Sequence, residues 1–270
     1  MLQAADVVFA YPGRAPVLRG VTMEMPAKSF VGILGPNGSG KTTLLRALAG
    51  VVRPSRGRVL LDGNDLGRVP RQALARRMAV VPQETHLAFD YTVLEVVLMG
   101  RYPHLGTFEI EGPADFGIAR ESLAATGTLS LQDRSFETLS GGEKQRVIIA
   151  AALAQISAAE RDGILLLDEP TVALDLAYQL ELGTLLRGLR ARLPMAIAVS
   201  THDLNFAAGL CQTMVLLKEG EVLASGPTEE VLTSEHIRLL YGVNADVTRH
   251  AGTGRLVVVP ISRGPAGSSA

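Results

Sequence analysis

Three runs in this 270-residue chain carry residue types at spacings that chemistry needs. The first is Gly35-Pro36-Asn37-Gly38-Ser39-Gly40-Lys41-Thr42, a complete GxxxxGK[ST] pattern. Its glycines let successive backbone N–H groups turn inward around a phosphate. A helix opening here adds the positive end of its dipole, Lys41 can bridge two phosphates, and the Thr42 hydroxyl can ligate Mg²⁺. The second run, Ile164-Leu165-Leu166-Leu167-Asp168-Glu169-Pro170, is an apolar strand ending in two acids. Such a strand would deliver Asp168 to a sheet edge beside Thr42, where its carboxylate could hold Mg²⁺ through water. Glu169, one residue on, is the candidate general base for an attacking water. The third run, Leu139-Ser140-Gly141-Gly142-Glu143-Lys144-Gln145-Arg146, opens a helix with Ser140 as N-cap and Glu143 as its capping-box partner. That makes a second helix N-terminus able to donate to an anion.

The elements that must position these residues alternate between short apolar runs and helical patterns, which argues for an α/β fold. Strand-like runs at Phe30–Leu34, Met78–Val81, Ile164–Leu167, Ala196–Ser200 and Met214–Leu217 are almost wholly apolar, as in a parallel sheet covered on both faces. The phosphate loop follows the first of them and opens the helical pattern Thr42–Val51; Ala177–Arg190 and Leu204–Leu210 are further helical patterns. Val7–Ala10, Val21–Met25 and Arg58–Leu61, the last beside Asp62-Gly63, predict an N-terminal antiparallel sheet. Between Gln83 and about Ala159 the pattern turns mostly helical, with candidates at Thr92–Gly100, Ala114–Thr126 and Glu143–Ala158. This block, about 84–159, reads as a helical insertion in one domain over 1–261, and the Gly/Ser/Pro-rich tail 262–270 is expected to fray.

Composition removes several function classes. Lys and Arg number 26 against 27 Asp and Glu, so the net charge of −1 gives no electrostatic footing on a nucleic-acid backbone. Hydrophobic residues make up 47%, and Gly 28 with Pro 14 stays below the low-complexity range, so a disordered or fibrous chain is excluded. The single cysteine, Cys211, forbids an internal disulfide or a multi-cysteine zinc site and is expected to be a small buried hydrophobe. His86, His104, His236 and His250 lack metal-ligand spacing, and structural or surface roles are the default. The N-terminus has no basic start followed by an apolar run, and apolar stretches such as Val147–Ala154 fall far short of the ~20 residues that cross a bilayer. Membrane contact is therefore expected through a partner.

With all three runs in this order, Leu139–Glu143 resembles the LSGGQ signature of the ATP-binding-cassette ATPases. The resemblance extends over about residues 2–242: Tyr11, the phosphate loop, Gln83, the signature, the acidic strand, Ala173-Leu174-Asp175 and Thr201-His202-Asp203 follow one another as in that family. It implies a P-loop NTPase core with a mainly parallel sheet, an antiparallel β-subdomain and an inserted helical subdomain. It implies ATP and Mg²⁺ as the bound species, with adenine stacked on Tyr11, the nucleotide held by Gly35 to Thr43, and the metal held by Thr42, Gln83 and Asp168. Gln83 would also contact the attacking water and sense the membrane partner, and His202 would contact the γ-phosphate. Ser140, Gly141 and Gly142, with Asp175, would serve the ATP of a second copy, two chains closing head-to-tail on two nucleotides. Glu143 stands where the family usually has Gln, Val172 where Ser is common, and the stretch Ile156–Gly163 is longer than typical.

The run Thr92–His104, ending Gly100-Arg101-Tyr102-Pro103-His104, is similar to the equivalent segment of bacterial importers for iron-siderophores, haem and cobalamin. The resemblance implies an ATPase subunit at the cytoplasmic face of the inner membrane, a homodimer acting on a separate permease served by a periplasmic or surface binding protein, with no nucleic-acid partner. The exposed face around Thr92–His104 is the expected dock for the permease; the plain alternative for Gly100–His104 is a helix C-terminus, with Gly100 as a C′ residue and Pro103 preventing continuation. The ATPase of an exporter or of another importer class is the alternative. A cassette acting on DNA or ribosomes would show coiled-coil insertions or a second cassette, and a P-loop kinase would lack Leu139–Glu143.

Overall fold

The computed structural model describes residues 1–85, 87–157, 162–172 and 174–263. His86, the last two residues of the predicted block 84–159, the middle of the stretch 156–163, Ala173 and the tail from 264 lie outside the described residues. The elements, in chain order, are β1 (Leu2–Phe9), β2 (Leu18–Met25), β3 (Phe30–Leu34), α1 (Lys41–Leu48), β4 (Arg56–Leu61), β5 (Asn64–Asp65), α2 (Arg71–Ala75), β6 (Met78–Val81), α3 (Val93–Leu98) and α4 (Pro113–Ala125). They continue with α5 (Gly141–Ile156), β7 (Gly163–Asp168), α6 (Leu176–Arg192), β8 (Met195–Thr201), α7 (Leu204–Ala208), β9 (Thr213–Lys218), β10 (Glu221–Pro227), α8 (Thr228–Val231), α9 (Ser234–Tyr241), β11 (Val243–Arg249) and β12 (Leu256–Arg263). The chain divides into two compact units, one of Met1–Arg68 with Ala198–Ala270 and one of Val69–Ile197, the second wider than the predicted helical block.

In the first unit an antiparallel sheet has the order β2-β1-β4-β5. β1 buries Leu2, Ala4 and then Val7, because Asp6 takes a left-handed φ of 51° and the pairing with β2 slips between Ala4 and Val7. An ideal Cβ on Gly57 of β4 would lie 2.1 Å from the Asp6 carbonyl oxygen, so glycine opposes the bulge. The slip hides the alternation of Leu2–Ala5, which is why only Val7–Ala10 was legible as strand. Asp62-Gly63 closes the β4–β5 hairpin with positive φ at both residues, 51° and 80°, the turn whose twist matches paired strands. Also in this unit, β3 pairs in parallel with β9 from Val31↔Thr213 to Leu34↔Leu216, and β9 pairs antiparallel with β10. β3 is buried at all five positions, as its unbroken apolar run requires. The hairpin of β11 and β12 closes the described chain. Because β12 runs to Arg263, the first two residues of the predicted tail belong to a strand.

In the second unit β6 pairs in parallel with β7, from Met78↔Ile164 to Val81↔Leu167. Helices α3, α4 and α5 enclose a core that includes Val97, Leu123, Phe136, Val147 and Ala150. α3 begins at the capping box of Thr92 and Glu95 and gives way to a 3-10 turn over Met99–His104. The α-helix thus ends at Leu98 with Met99 as its C-cap and Gly100 next, as in the plain helix-end alternative, but the chain continues as a 3-10 turn through Pro103. An ideal Cβ on Gly100 would lie 2.2 Å from the Ala151 carbonyl oxygen, so glycine there allows close approach to α5. Arg101, only 4% exposed, then fastens three pieces: Nε donates to Asp115 Oδ1 at 2.9 Å, and Nη1 to the Ala154 carbonyl at 2.7 Å and Ser157 Oγ at 3.2 Å. His104 Nε2 lies 2.7 Å from the Gln155 carbonyl. Most of Thr92–His104 is thus spent on packing rather than exposed. Glu95 and Tyr102 are its exposed residues, and exposure resumes at Gly106.

Candidate functional site

The first unit carries Tyr11, the phosphate loop and His202. The loop springs from the C-terminal end of β3, and His202 follows Thr201, the last residue of β8; β3 and β8 are neighbours in the sheet. Ligands of open α/β sheets sit at such carboxyl ends. Gly35 is pressed against β9: an ideal Cβ would lie 2.2 Å from the Leu217 carbonyl oxygen and 2.5 Å from Ser39 Oγ. Gly38 and Gly40 take φ of 80° and 104°, so the loop coils where an L side chain would be strained. Gly220 N–H donates to the Ser39 carbonyl at 3.0 Å, tying the loop to the β9–β10 turn. α1 starts with no side-chain cap and no acid in its first turn, an N-terminus open to an anion. Lys41, 6% exposed, folds its Nζ back onto the Gly35 and Pro36 carbonyls at 2.8 and 3.1 Å. Ser39 Oγ is buried with no hydrogen-bond partner among the described residues. A cradle that a Cβ would fill, an uncapped helix start and an unpartnered buried hydroxyl together fit a phosphate chain.

Tyr11 is fixed to α1. Its hydroxyl lies 3.4 Å from Thr43 Oγ1 and accepts from Arg46 Nη1 at 3.4 Å, while its ring meets Phe9 edge-on at 5.0 Å. The Thr43 bond holds the phenol below its usual pKa, with Arg46 assisting and burial opposing. Beside His202, the Thr201 hydroxyl accepts from Asp203 N–H at 3.0 Å and Asp203 Oδ1 accepts from Phe206 N–H at 2.9 Å, so the exposed histidine sits in a braced turn.

The second unit carries Gln83, the signature, the two acids and Asp175. The pairing of Val81 with Leu167 brings Gln83 and the pair Asp168-Glu169 to the same end of adjacent parallel strands. Gln83 is exposed, whereas Asp168 and Glu169 are 7% and 6% exposed. Glu169 takes a left-handed φ of 45°, turning the chain sharply out of β7; strain of this kind collects at functional sites. Ser140 caps α5 as predicted: its hydroxyl accepts from Glu143 N–H at 3.4 Å, and Glu143 Oε2 accepts from Ser140 N–H and Oγ, each at 2.8 Å. The two hydrogen bonds from Ser140, backbone first, hold the Glu143 carboxyl below its usual pKa. Asp175 caps α6, accepting from Tyr178 N–H at 2.9 Å.

Sequence reasoning missed Tyr178. An ideal Cβ on Gly142 would lie 2.3 Å from Tyr178 Cδ1, so this ring sets the position of the α5 start. The signal was present as the second glycine of Ser140-Gly141-Gly142, since Gly141 meets only Leu174 at 3.9 Å and could carry a side chain. Cys211 is buried, and burial pushes its thiol far above the usual value, in line with a packing role. His236 Nδ1 lies 2.7 Å from the Val231 carbonyl, a structural contact.

Comparison with known proteins agrees with this arrangement. The family model described as ABC transporter matches residues 18–172. The hemin import ATP-binding protein of Bordetella pertussis is 42% identical over 262 residues, 96% of this chain and 98% of that protein. The ferric enterobactin transport ATP-binding protein of Escherichia coli is 38% identical over 97% of this chain and 94% of its own. Among solved structures, a transporter described as of metal-chelate ABC type, in an inward-facing conformation, superposes with a TM-score of 0.83 at 29% identity, covering 96% of each chain. A dimeric bacterial ABC transporter cassette superposes with a TM-score of 0.72 at 29% identity, covering 84% of this chain and 99% of its own. The chain belongs to the ABC transporter family, as one of its ATP-binding cassettes.

Proposed function

We propose that this chain is the ATP-hydrolysing subunit of an importer for an iron-siderophore, haem or cobalamin type of cargo, closing head-to-tail as a homodimer on two MgATP and driving a separate permease. The observation that carries the cargo class is the near full-length relationship to ATP-binding proteins of hemin and enterobactin import, at 42% and 38% identity. In this reading the phosphate loop residues Gly35 to Thr43 bind the triphosphate, Tyr11 stacks on adenine, and His202 contacts the γ-phosphate. Thr42, Gln83 and Asp168 offer a hydroxyl, an amide oxygen and a carboxylate, a hard-oxygen set suited to Mg²⁺ completed by phosphates and water. When bound, the ion supplies neutralisation of phosphate charge. Glu169 takes the proton of the attacking water as its oxygen bonds to the γ-phosphorus and the bond to the β-phosphate oxygen breaks. Ser140 to Gly142 on α5, with Asp175, complete the partner's site, because a phosphate loop cradles its triphosphate from one side only. Catalysis rests on positioning and electrostatics rather than on a covalent intermediate.

No helix among the described residues is long and apolar enough to cross a membrane, so the reading puts the protein at the cytoplasmic face of the inner membrane through its permease. The exposed apolar side chains Tyr102, Phe108 and Ile110 are the natural contacts for that permease, rather than Thr92–His104 as a whole. A periplasmic or surface binding protein would deliver cargo. Reconstitution with the genomic partner permease tests the reading: ATPase should rise with haem-, siderophore- or cobalamin-loaded binding protein and lose that stimulation on Gln83→Ala, with nucleotide affinity retained. Transport of none of the three cargoes alongside movement of another solute would overturn the cargo class.

A further inference from the structure

Ser140, the cap of the signature helix, arrives with both of its donors already occupied. Ser140 has one backbone hydrogen and one hydroxyl hydrogen, and both point to Glu143 Oε2 at 2.8 Å. Each neighbouring cation has another partner: Lys144 Nζ pairs with Glu137 at 2.9 Å, Arg146 Nη1 with Glu181 at 2.7 Å, and Arg134 Nη2 donates to the Thr138 carbonyl at 3.3 Å. Resting on the head-to-tail reading above, we propose that Glu143 is a built-in competitor for the partner's γ-phosphate: its carboxylate holds the Ser140 donors in the open state and raises the ATP and protein concentrations at which the dimer closes.

Two effects act in the same direction. For the Ser140 hydroxyl to reach a phosphate oxygen it must leave Oε2, and charge-assisted hydrogen bonds are roughly twice as strong as neutral ones. A carboxylate one helical turn from an incoming triphosphate also repels it, and it cancels part of the positive dipole end that α5 would offer. Glutamine at this position, the residue usual in the family, keeps an acceptor for the cap but is neutral. The same unit holds an internal control. Thr92 and Glu95 repeat the geometry, with Thr92 N–H and Oγ1 donating to Glu95 Oε2 at 2.7 and 2.8 Å, at a helix start assigned no part in the dimer.

The test uses the full chain in a Glu169→Gln background, so that nucleotide is bound and not consumed. Sedimentation equilibrium at fixed MgATP then gives the dimer dissociation constant for the parent, Glu143→Gln and Glu95→Gln. Exchanging a charge-assisted for a neutral bond is expected to favour closure by about three- to tenfold at each of two sites, so the constant should tighten roughly 10- to 100-fold in Glu143→Gln. Glu95→Gln should change the melting temperature alone. An unchanged or weaker dimer in Glu143→Gln would overturn the proposal and leave Glu143 as a helix cap. If no variant dimerises with MgATP, or if Ser140→Ala dimerises as tightly as the parent, the head-to-tail reading itself fails and the proposal falls with it.

Discussion

Replacing Gly142 by alanine should separate nucleotide binding from hydrolysis. The added Cβ would lie 2.3 Å from Tyr178 Cδ1, 2.6 Å from Cε1 and 2.8 Å from Cγ. Carbon atoms in contact sit ~3.5–4.0 Å apart, so the ring or the helix start must give by roughly 1.2–1.7 Å. Overpacking of this kind costs ~1–3 kcal/mol of stability. The larger effect is positional: a shift of ~1 Å in a catalytic arrangement can cost ~10²-fold in rate. Gly142→Ala should therefore bind MgATP with parental affinity, because the phosphate loop belongs to the other unit, and lose about two orders of magnitude in ATP turnover. The assay pairs equilibrium nucleotide binding with steady-state phosphate release. Removing the ring should rescue: Gly142→Ala with Tyr178→Ala should recover at least tenfold over the single variant. Turnover within about threefold of the parent in Gly142→Ala, or no rescue in the double variant, would refute the claim that the Tyr178 ring is what requires glycine at position 142.

Three further outcomes follow from the geometry. Arg101→Ala removes the ion-pair partner of Asp115, leaving it only the Gly112 N–H, and takes one donor from the Ala154 carbonyl; breaking a buried pair of this kind costs ~3–5 kcal/mol, so calorimetry should show a melting temperature lower by about 6–20 °C. Burial, helped by Arg101 and Arg76, holds the His104 imidazole below its usual value of 6.5, against the opposing pull of the Gln155 carbonyl and Asp115. The folded chain thus binds fewer protons than the unfolded one, so stability is full above pH 6.5 and declines as pH falls toward the depressed value; His104→Gln should flatten that slope in denaturant titrations. Tyr11→Ala should weaken nucleotide binding by about 1–3 kcal/mol, the worth of stacking a base on an aromatic ring, and Tyr11→Phe should keep most of it, as fluorescent-nucleotide titration would register.

The site was legible because each motif is a local rule. A glycine-rich loop after β3, two acids at the end of β7 and a capping box at Ser140 need only their neighbours in sequence to be recognised, and all three stand where their spacing put them. The strands β3 and β6 matched residue for residue because an unbroken apolar run has one natural environment. What stayed hidden depends on residues far apart in the chain. β10 has only the three-residue apolar run Val222–Ala224 and exists by pairing with β9 across Glu219-Gly220, whose φ of 49° and 84° repeat the turn at Asp62-Gly63. α9, only eight residues long, went unread although Thr233, which accepts from His236 N–H, Gly242 at φ 67° and the buried pair Ile237 and Leu240 all mark it. The packing of Gly100 and Arg101 was hidden for the same reason as β10: a glycine and an arginine before a proline show only a helix end until Ala151, Ala154 and Asp115 are brought against them.

The central claim is that one chain's phosphate loop works with another chain's signature, and complementation between two inactive chains tests it most directly. Lys41→Ala should fail to hold nucleotide at its own loop, and Ser140→Ala should bind nucleotide as a monomer but hydrolyse poorly, so each alone should be nearly silent. Mixed in equal amounts, about half the dimers of a two-fold assembly are heterodimers with one composite site intact, and ATP turnover should recover to about a quarter of the parental rate. No recovery, with heterodimers demonstrated in the same sample, would contradict the shared site.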